Sequence, residues 1–326
     1  MTSTSSSTRF ITDKLHQAPI DPKLALIFPG QGSQSVGMGS DLYQLSAAAR
    51  QAFEAADAVL GRALSKLCFE GPEDELRQTA NAQPAIMVAS LACLAAALET
   101  GLLGRRPAFL AGHSLGEYTA LVAAGSLTFE DALLLVNERG RVMDEAGLAR
   151  PGAMAALLGL SEEQADEVRR LSGAELCNYN SPSQMVIGGT PSAVQRASSL
   201  ARERGGRVLP LNVSGAFHTS LMKAAADEYA RAVEAAAISD PVIPVVGNAT
   251  GRPLTSAGEV TSELKEQMVS PVLWHQSVIA MVEAGLDTFV EVGPGRVLTS
   301  LMKRTAPAVT AFSIDGAASL PRPSNV

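Results

Sequence analysis

Aromatic side chains are scarce in this chain: one Trp, four Tyr and nine Phe make up 4% of 326 residues. A core of ordinary density must then be filled by aliphatic side chains and alanine. Cysteine is scarcer still. Cys68, Cys93 and Cys177 lie far apart, which argues against a disulfide scaffold and makes a reducing cytoplasm the expected compartment. The four histidines, His16, His113, His218 and His275, show no His-x-x-x-His spacing, so a structural metal has no ligand set. Positive charge is in deficit, with 26 Lys and Arg against 33 Asp and Glu and a net charge of −7. That balance argues against nucleic acid as the main partner, and an anionic substrate needs a local cation. Charged residues are read as interrupting every long apolar segment, so no membrane span is expected. The Ser- and Thr-rich start has neither the apolar core of a secretion signal nor an arginine-rich composition, so residues 1–20 are expected to be a loose tail, as are 317–326.

What is present is 46% hydrophobic and 18% charged, a globular composition with room for a sizeable core. The most informative stretch is Gly112-His113-Ser114-Leu115-Gly116-Glu117, between the apolar run 107–111 and a second run from Tyr118 to Gly125. A serine with glycines two residues away on each side, at a strand-to-helix turn, is a nucleophile elbow. The turn is sharp, and Cβ atoms at the flanking positions would meet neighbouring backbone. The Leu115 N–H then lies near a helix N-terminus, where it can stabilise an oxyanion.

Along the chain, Leu24 to Phe28 reads as a strand, followed by the turn Pro29-Gly30-Gln31-Gly32-Ser33-Gln34. No lysine follows the glycines, so this is not a P-loop, and Gln31 is placed to point toward whatever Ser114 holds. A helix is expected from Asp41 to Ala63, and another opened by Gln83-Pro84-Ala85 and running to about Leu103. Thr128 and Asp131 look like an N-cap pair for a helix that carries Arg139. Residues 152–213 then read strand, helix, strand, strand, helix, strand, the split βαβ pattern of a ferredoxin-like unit inserted in the chain. A short loop containing His218 follows. Helices are expected over about 220–236, 262–268 and 272–284, with strands at 243–247, 288–292 and 309–314. Strand–helix alternation outside the insertion implies a mostly parallel sheet with helices on both faces. The expected organisation is α/β, with a large unit over 21–151 and 214–316 and a small one over 152–213.

A serine hydroxyl needs a base. His16 falls in the expected tail, His113 adjoins the serine and His275 sits in a helical pattern. His218, in a Gly-containing loop before a helix, is favoured. No acidic residue between Ser114 and His218 stands out as its partner, which hints that something other than a carboxylate orients the histidine. Arg141 reads as a surface ion pair with Glu138 or Glu145. Arg139, in a mainly apolar helix, is either another such pair or a fork aimed at a substrate carboxylate.

Six segments in register now carry a resemblance. They are Phe28 to Gln34, Gly112 to Glu117, Arg139-Gly140, Asn178-Tyr179-Asn180-Ser181-Pro182, Gly215-Ala216-Phe217-His218 and Glu291-Val292-Gly293-Pro294-Gly295. Together they resemble the malonyl-CoA:acyl-carrier-protein transacylase family, over about residues 24–314. The resemblance implies an α/β-hydrolase-like large subdomain with a ferredoxin-like small one. It implies Ser114 as nucleophile, His218 as base, Gln31 and the Leu115 N–H at the oxyanion, and Gln267 at the position that orients the histidine. Arg139, His113, Phe217 and Asn180 fall at substrate-binding positions, with Arg139 pairing with the malonyl carboxylate. Gly293-Pro294 is expected to shape the sheet edge. The implied activity is malonyl transfer from the coenzyme A thioester to the phosphopantetheine thiol of acyl carrier protein through an ester on Ser114. Phe217 before His218 resembles the malonyl-selective pattern, and the Tyr-Ala-Ser-His of methyl-branched selectivity is absent. No tightly bound cofactor and a monomer are expected. Docking of an acidic carrier protein on this acidic chain needs a local basic patch, with Lys303, Arg304 and the arginines near Arg202 as candidates. A trans-acting transferase of polyketide synthesis, a serine acyl hydrolase and a non-catalytic carrier-binding module are the alternatives.

Overall fold

The computed structural model of the chain describes residues 9–321. Ten strands form two sheets. β1 (Ile20–Phe28), β2 (Arg106–Gly112), β7 (Val245–Val246), β8 (Pro253–Leu254), β9 (Thr288–Val292) and β10 (Thr310–Ile314) make a six-stranded sheet in the order β10-β9-β1-β2-β7-β8. All its pairings are parallel except β7 with β8. β3 (Ala153–Leu158), β4 (Glu175–Ser181), β5 (Gln184–Gly189) and β6 (Arg207–Pro210) make an antiparallel sheet in the order β4-β5-β3-β6. With helices Glu162–Ser172 and Pro191–Glu203 this is the ferredoxin-like arrangement expected for the insertion.

The large sheet is covered on both faces, which is why its central strand reads as an unbroken apolar run. Leu24, Leu26 and Phe28 face one core with helix Thr79–Glu99, whereas Ala25 and Ile27 face a second with Trp274, Val278 and Leu298. Alanine fills much of the first core: seven alanines of helix Thr79–Glu99 are buried.

Several expectations need correction. The helix expected over 41–63 is two, Ser40–Leu45 and Ala47–Leu60, because Ser46 is extended and caps the second through the Ala49 N–H. The helix expected to open at Pro84 starts at Thr79, with Pro84 inside it. That helix is also long and apolar enough to cross a membrane, contrary to the reading that charges break every such run. Its apolar window is 94% buried, so it is the core helix of the large sheet. The expected tail over 1–20 contains helix Arg9–Gln17 and the first residue of β1; residues 1–8 lie outside the described part. Leu15 is fully buried, Lys14 Nζ donates to the Leu98 carbonyl, and His16 Nε2 donates to the Ala123 carbonyl at 2.9 Å. At the other end Ala317 N donates to Asp41 at 2.7 Å, so residues 317–319 are tied down, and 322–326 lie outside the described part. The helices expected over 262–268 and 272–284 are Ala257–Glu266 and Trp274–Glu283, the first capped by a Ser256–Glu259 box.

Candidate active site

Parallel register brings the carboxyl ends of β1, β2, β7 and β9 together, with Phe28 opposite Gly112, Ala111 opposite Val246 and Ile27 opposite Glu291. Loops leaving that edge carry the Gln31 turn, the Ser114 elbow, Asn248 and Gly293, the usual place for a site in such a sheet. The elbow glycines are required by contact. A Cβ on Gly112 would lie 1.9 Å from the Gly116 carbonyl carbon, and one on Gly116 would lie 2.1 Å from the Phe28 oxygen. Gly293, at φ 137°, backs onto Pro29 and Ser90, 2.9 and 2.2 Å from a Cβ there. Because β9 is an interior strand, Gly293-Pro294 shapes the floor under the Gln31 turn and not the sheet edge as expected.

Ser114 and His218 are the two non-glycine residues with positive φ among those described, at 51° and 59°. Such strain persists only where surrounding structure holds it. Asn248 holds Ser114: its Oδ1 accepts from the Ser114 N–H at 2.6 Å and its Nδ2 donates to the Gly112 carbonyl at 2.7 Å. Asn248 is held in turn through its own N–H by Glu117 Oε2 at 2.8 Å. Burial raises the Glu117 carboxyl well above its usual range, and the neighbouring Glu263 carboxylate adds to that.

Ser114 Oγ lies 2.8 Å from His218 Nε2. His218 Nδ1 is 2.9 Å from the Gln267 carbonyl and 3.2 Å from the Ser270 carbonyl. Carbonyls only accept, so the proton sits on Nδ1 and Nε2 presents its lone pair to the serine. Two main-chain oxygens therefore stand where a hydrolase triad has a carboxylate. Burial, and then the Arg139 charge, push the His218 imidazole from 6.5 down to about 3, so it is neutral at pH 7.

Arg139 is 1% exposed. Its Nη1 donates to Gln83 Oε1 at 2.6 Å, and its Nη2 to Gln267 Oε1 at 2.8 Å and to Ser114 Oγ at 3.1 Å. Its guanidinium lies over the Tyr118 ring, 5.5 Å from the centroid. Among the described residues no carboxylate pairs with it and its Nε has no partner. Arg141, two residues on, is the surface group expected, bridging Glu138, Glu145 and Glu228 at 2.5–2.7 Å. Of the two readings left open for Arg139, the ion pair is therefore overturned.

A cavity of about 350 Å3 opens onto Ser114 and His218, lined by Gln31, Arg77, His113, Met143, Met154, Asn178 and Phe217 among others. Gln31 Nε2 donates to Thr79 Oγ1 at 3.2 Å. His113 Nε2 is 2.8 Å from Asn180 Oδ1, so Asn180 reaches the cavity through His113, while Asn178 lines it directly. Leu115 is fully buried and its N–H begins helix Gly116–Ala123. Gln267 reaches the site twice, by its carbonyl to His218 and by its side chain to Arg139 and to the Ser114 carbonyl at 3.0 Å. Sequence reasoning missed Gln83, Asn248 and Ser270. A polar residue in a long apolar helix was a signal for Gln83; a carbonyl oxygen at Ser270 leaves none. Among the described residues no group of three or more His, Cys, Asp or Glu is arranged to hold a metal, and the three cysteines are free and buried.

Residues 25–322 match the acyl transferase domain family. The chain belongs to that family. It is 45% identical over 288 residues to the malonyl CoA-acyl carrier protein transacylase of Bacillus subtilis, covering 86% of this chain and 90% of the relative. The Escherichia coli protein of the same name is 41% identical over 90% of this chain and 96% of its own length. Among solved structures, an acyl carrier protein S-malonyltransferase from Vibrio cholerae superposes with a TM-score of 0.87 at 41% identity, covering 91% of this chain and 98% of the other. A malonyl-transacylase solved in complex with its type II polyketide acyl carrier protein gives 0.87 at 40% identity, covering 91% and 97%.

Proposed function

We propose that this acyltransferase moves the malonyl group from malonyl-CoA to the phosphopantetheine thiol of an acyl carrier protein, through a malonyl ester on Ser114. The observation that carries the reading is a buried arginine, in ion-pair contact with no carboxylate among the described residues, whose Nη2 lies 3.1 Å from the oxygen of an elbow serine. A substrate carboxylate entering there takes over the Arg139 donors in the bidentate geometry a guanidinium favours. It also offsets the Arg139 charge that helps hold His218 down, so the correct acid makes the base more basic as it binds.

His218 Nε2 takes the Ser114 proton while Oγ attacks the thioester carbonyl. The tetrahedral oxyanion is held by the Leu115 N–H, with Gln31 Nε2 as second donor once it leaves Thr79. Collapse breaks the C–S bond, and His218 returns its proton to the coenzyme A thiolate. The carrier thiol then gives its proton to His218 and attacks the ester carbonyl; collapse breaks the C–O bond to Ser114, His218 returns the proton to Oγ, and the malonyl thioester leaves with both residues restored. One oxyanion donor is worth about 2.7–4 kcal/mol of barrier in comparable sites. Phe217 and Met143 wall the cavity, His113 is fixed by Asn180, and three free, buried thiols suit a reducing cytoplasm. Supply of a carrier protein of fatty acid synthesis is the first reading. Supply of a polyketide carrier is the second reading, supported by the likeness to the carrier-bound polyketide transacylase.

Intact mass after brief exposure to malonyl-CoA or acetyl-CoA tests this. A malonyl adduct is expected on the wild type and none on Ser114→Ala, with little acetyl adduct. An adduct on Ser114→Ala refutes the nucleophile. Equal acetyl loading refutes the role of Arg139, and coenzyme A release without any adduct points to a hydrolase.

A further inference from the structure

We infer that Gln83 is a specificity-determining positioning residue: by holding Arg139 with a neutral oxygen it leaves the guanidinium charge free to select a carboxylate-bearing acyl group. This rests on the reading of Arg139 as the partner of the malonyl carboxylate. Gln83 is fully buried, and its Oε1 accepts from Arg139 Nη1 at 2.6 Å, the shortest of the three bonds to that guanidinium. Burying an arginine normally calls for a paired carboxylate. Here both side-chain acceptors, apart from the serine itself, are amides.

The amide is held in one orientation. Gln83 Nε2 donates to Met143 Sδ at 3.4 Å. Met143 lies one turn beyond Arg139 on the same helix, and its sulfur has no proton to give. That pins the oxygen side of Gln83 on Nη1. A glutamate at 83 has the same size and reach, and would set a carboxylate 2.6 Å from Nη1. The arginine would then be compensated from inside the protein, and an incoming malonyl carboxylate would meet a second anion across one cation. Arg141 shows the other outcome on the same helix: its three carboxylates leave no charge unpaired.

The test is Gln83→Glu, with adduct formation rates measured separately for malonyl-CoA and acetyl-CoA. Malonyl loading is expected to fall by about ten- to a hundredfold, the worth of one charge-assisted hydrogen bond. The loss should lie mainly in KM, and acetyl loading should not fall, so the preference collapses. A parallel fall for both acyl groups means a purely structural role and overturns the inference. Gln83→Met, which removes the acceptor and adds no charge, is expected to lose rate and keep its malonyl preference; loss of that preference also overturns the inference. Should circular dichroism show the Glu variant unfolded, the Met variant decides by its own outcome: a slower enzyme that keeps its malonyl preference supports the inference, and loss of that preference overturns it. A wild type that loads both acyl groups equally overturns the underlying reading as well. A wild type that prefers malonyl beside a Glu variant that keeps the same malonyl preference overturns this inference alone.

Discussion

His218 is held neutral by its surroundings. Burial is the larger cause of its depression to about 3, and Arg139 the next. Its folded value lies below its unfolded value, so it contributes stability that is fully present above pH 6.5 and is lost as pH falls toward 3. The rate of Ser114 acylation, read as the burst of coenzyme A release, should show no limb near pH 6.5 in the wild type and fall only well below it. In Arg139→Ala the Coulombic push is gone, so the acid limb should move to higher pH, with malonyl preference lost as well. A wild-type limb at pH 6.5 would show that the free imidazole is solvated and not held as described.

At the scale of the element, the strand-to-helix turn carries Ser114, and its glycines bear the steric load. Gly112→Ala puts a Cβ 1.9 Å from Gly116 backbone that has no room to move. Overpacking of this kind costs about 1–3 kcal/mol and sometimes more, so a large drop in the denaturation midpoint is expected together with loss of the adduct. Gly258 gives the contrast. It lies in helix Ala257–Glu266 with nothing within 4 Å of a built Cβ, and Gly258→Ala should be neutral or stabilising, by up to about 1 kcal/mol. Equal midpoints for the two variants would remove the steric account. The elbow was legible in the sequence because its cause is local: six consecutive residues set the turn, the Leu115 N–H and the helix start. The split βαβ pattern was legible for the same reason, each element following from short-range periodicity. Element ends were less so. Ser46 breaks one expected helix, and packing starts another five residues before Pro84, where local preference put its beginning.

Across the whole molecule, the four-stranded sheet is stitched to the segment between helices Ala257–Glu266 and Trp274–Glu283, beside the oxygens that hold His218. Tyr179 N donates to the Val272 carbonyl at 2.9 Å and Val272 N to the Cys177 carbonyl at 2.8 Å. His275 meets Glu162 at 3.0 Å across the same seam. Trp274, the single tryptophan, is 1% exposed at this junction, its ring 5.8 Å from that of His113. Denaturation followed by tryptophan fluorescence and by far-ultraviolet circular dichroism should therefore give coincident transitions. Separate midpoints would mean that the two sheets open independently.

The sequence by itself determined the serine elbow, the order of elements and the family pattern, since each depends on residues close together along the chain. Only the tertiary structure decided what surrounds them. The acceptors for His218 are main-chain oxygens 49 and 52 residues away, and a carbonyl is the same on every residue, so it leaves no mark in a sequence. Arg139 and Arg141 are two positions apart on one helix with the same side chain. One turns to the solvent and three carboxylates; the other turns inward to amides 56 residues before it and 128 after it. Their surroundings, and not the residue type, make one a screened surface charge and the other a cation buried at low dielectric without an ion pair.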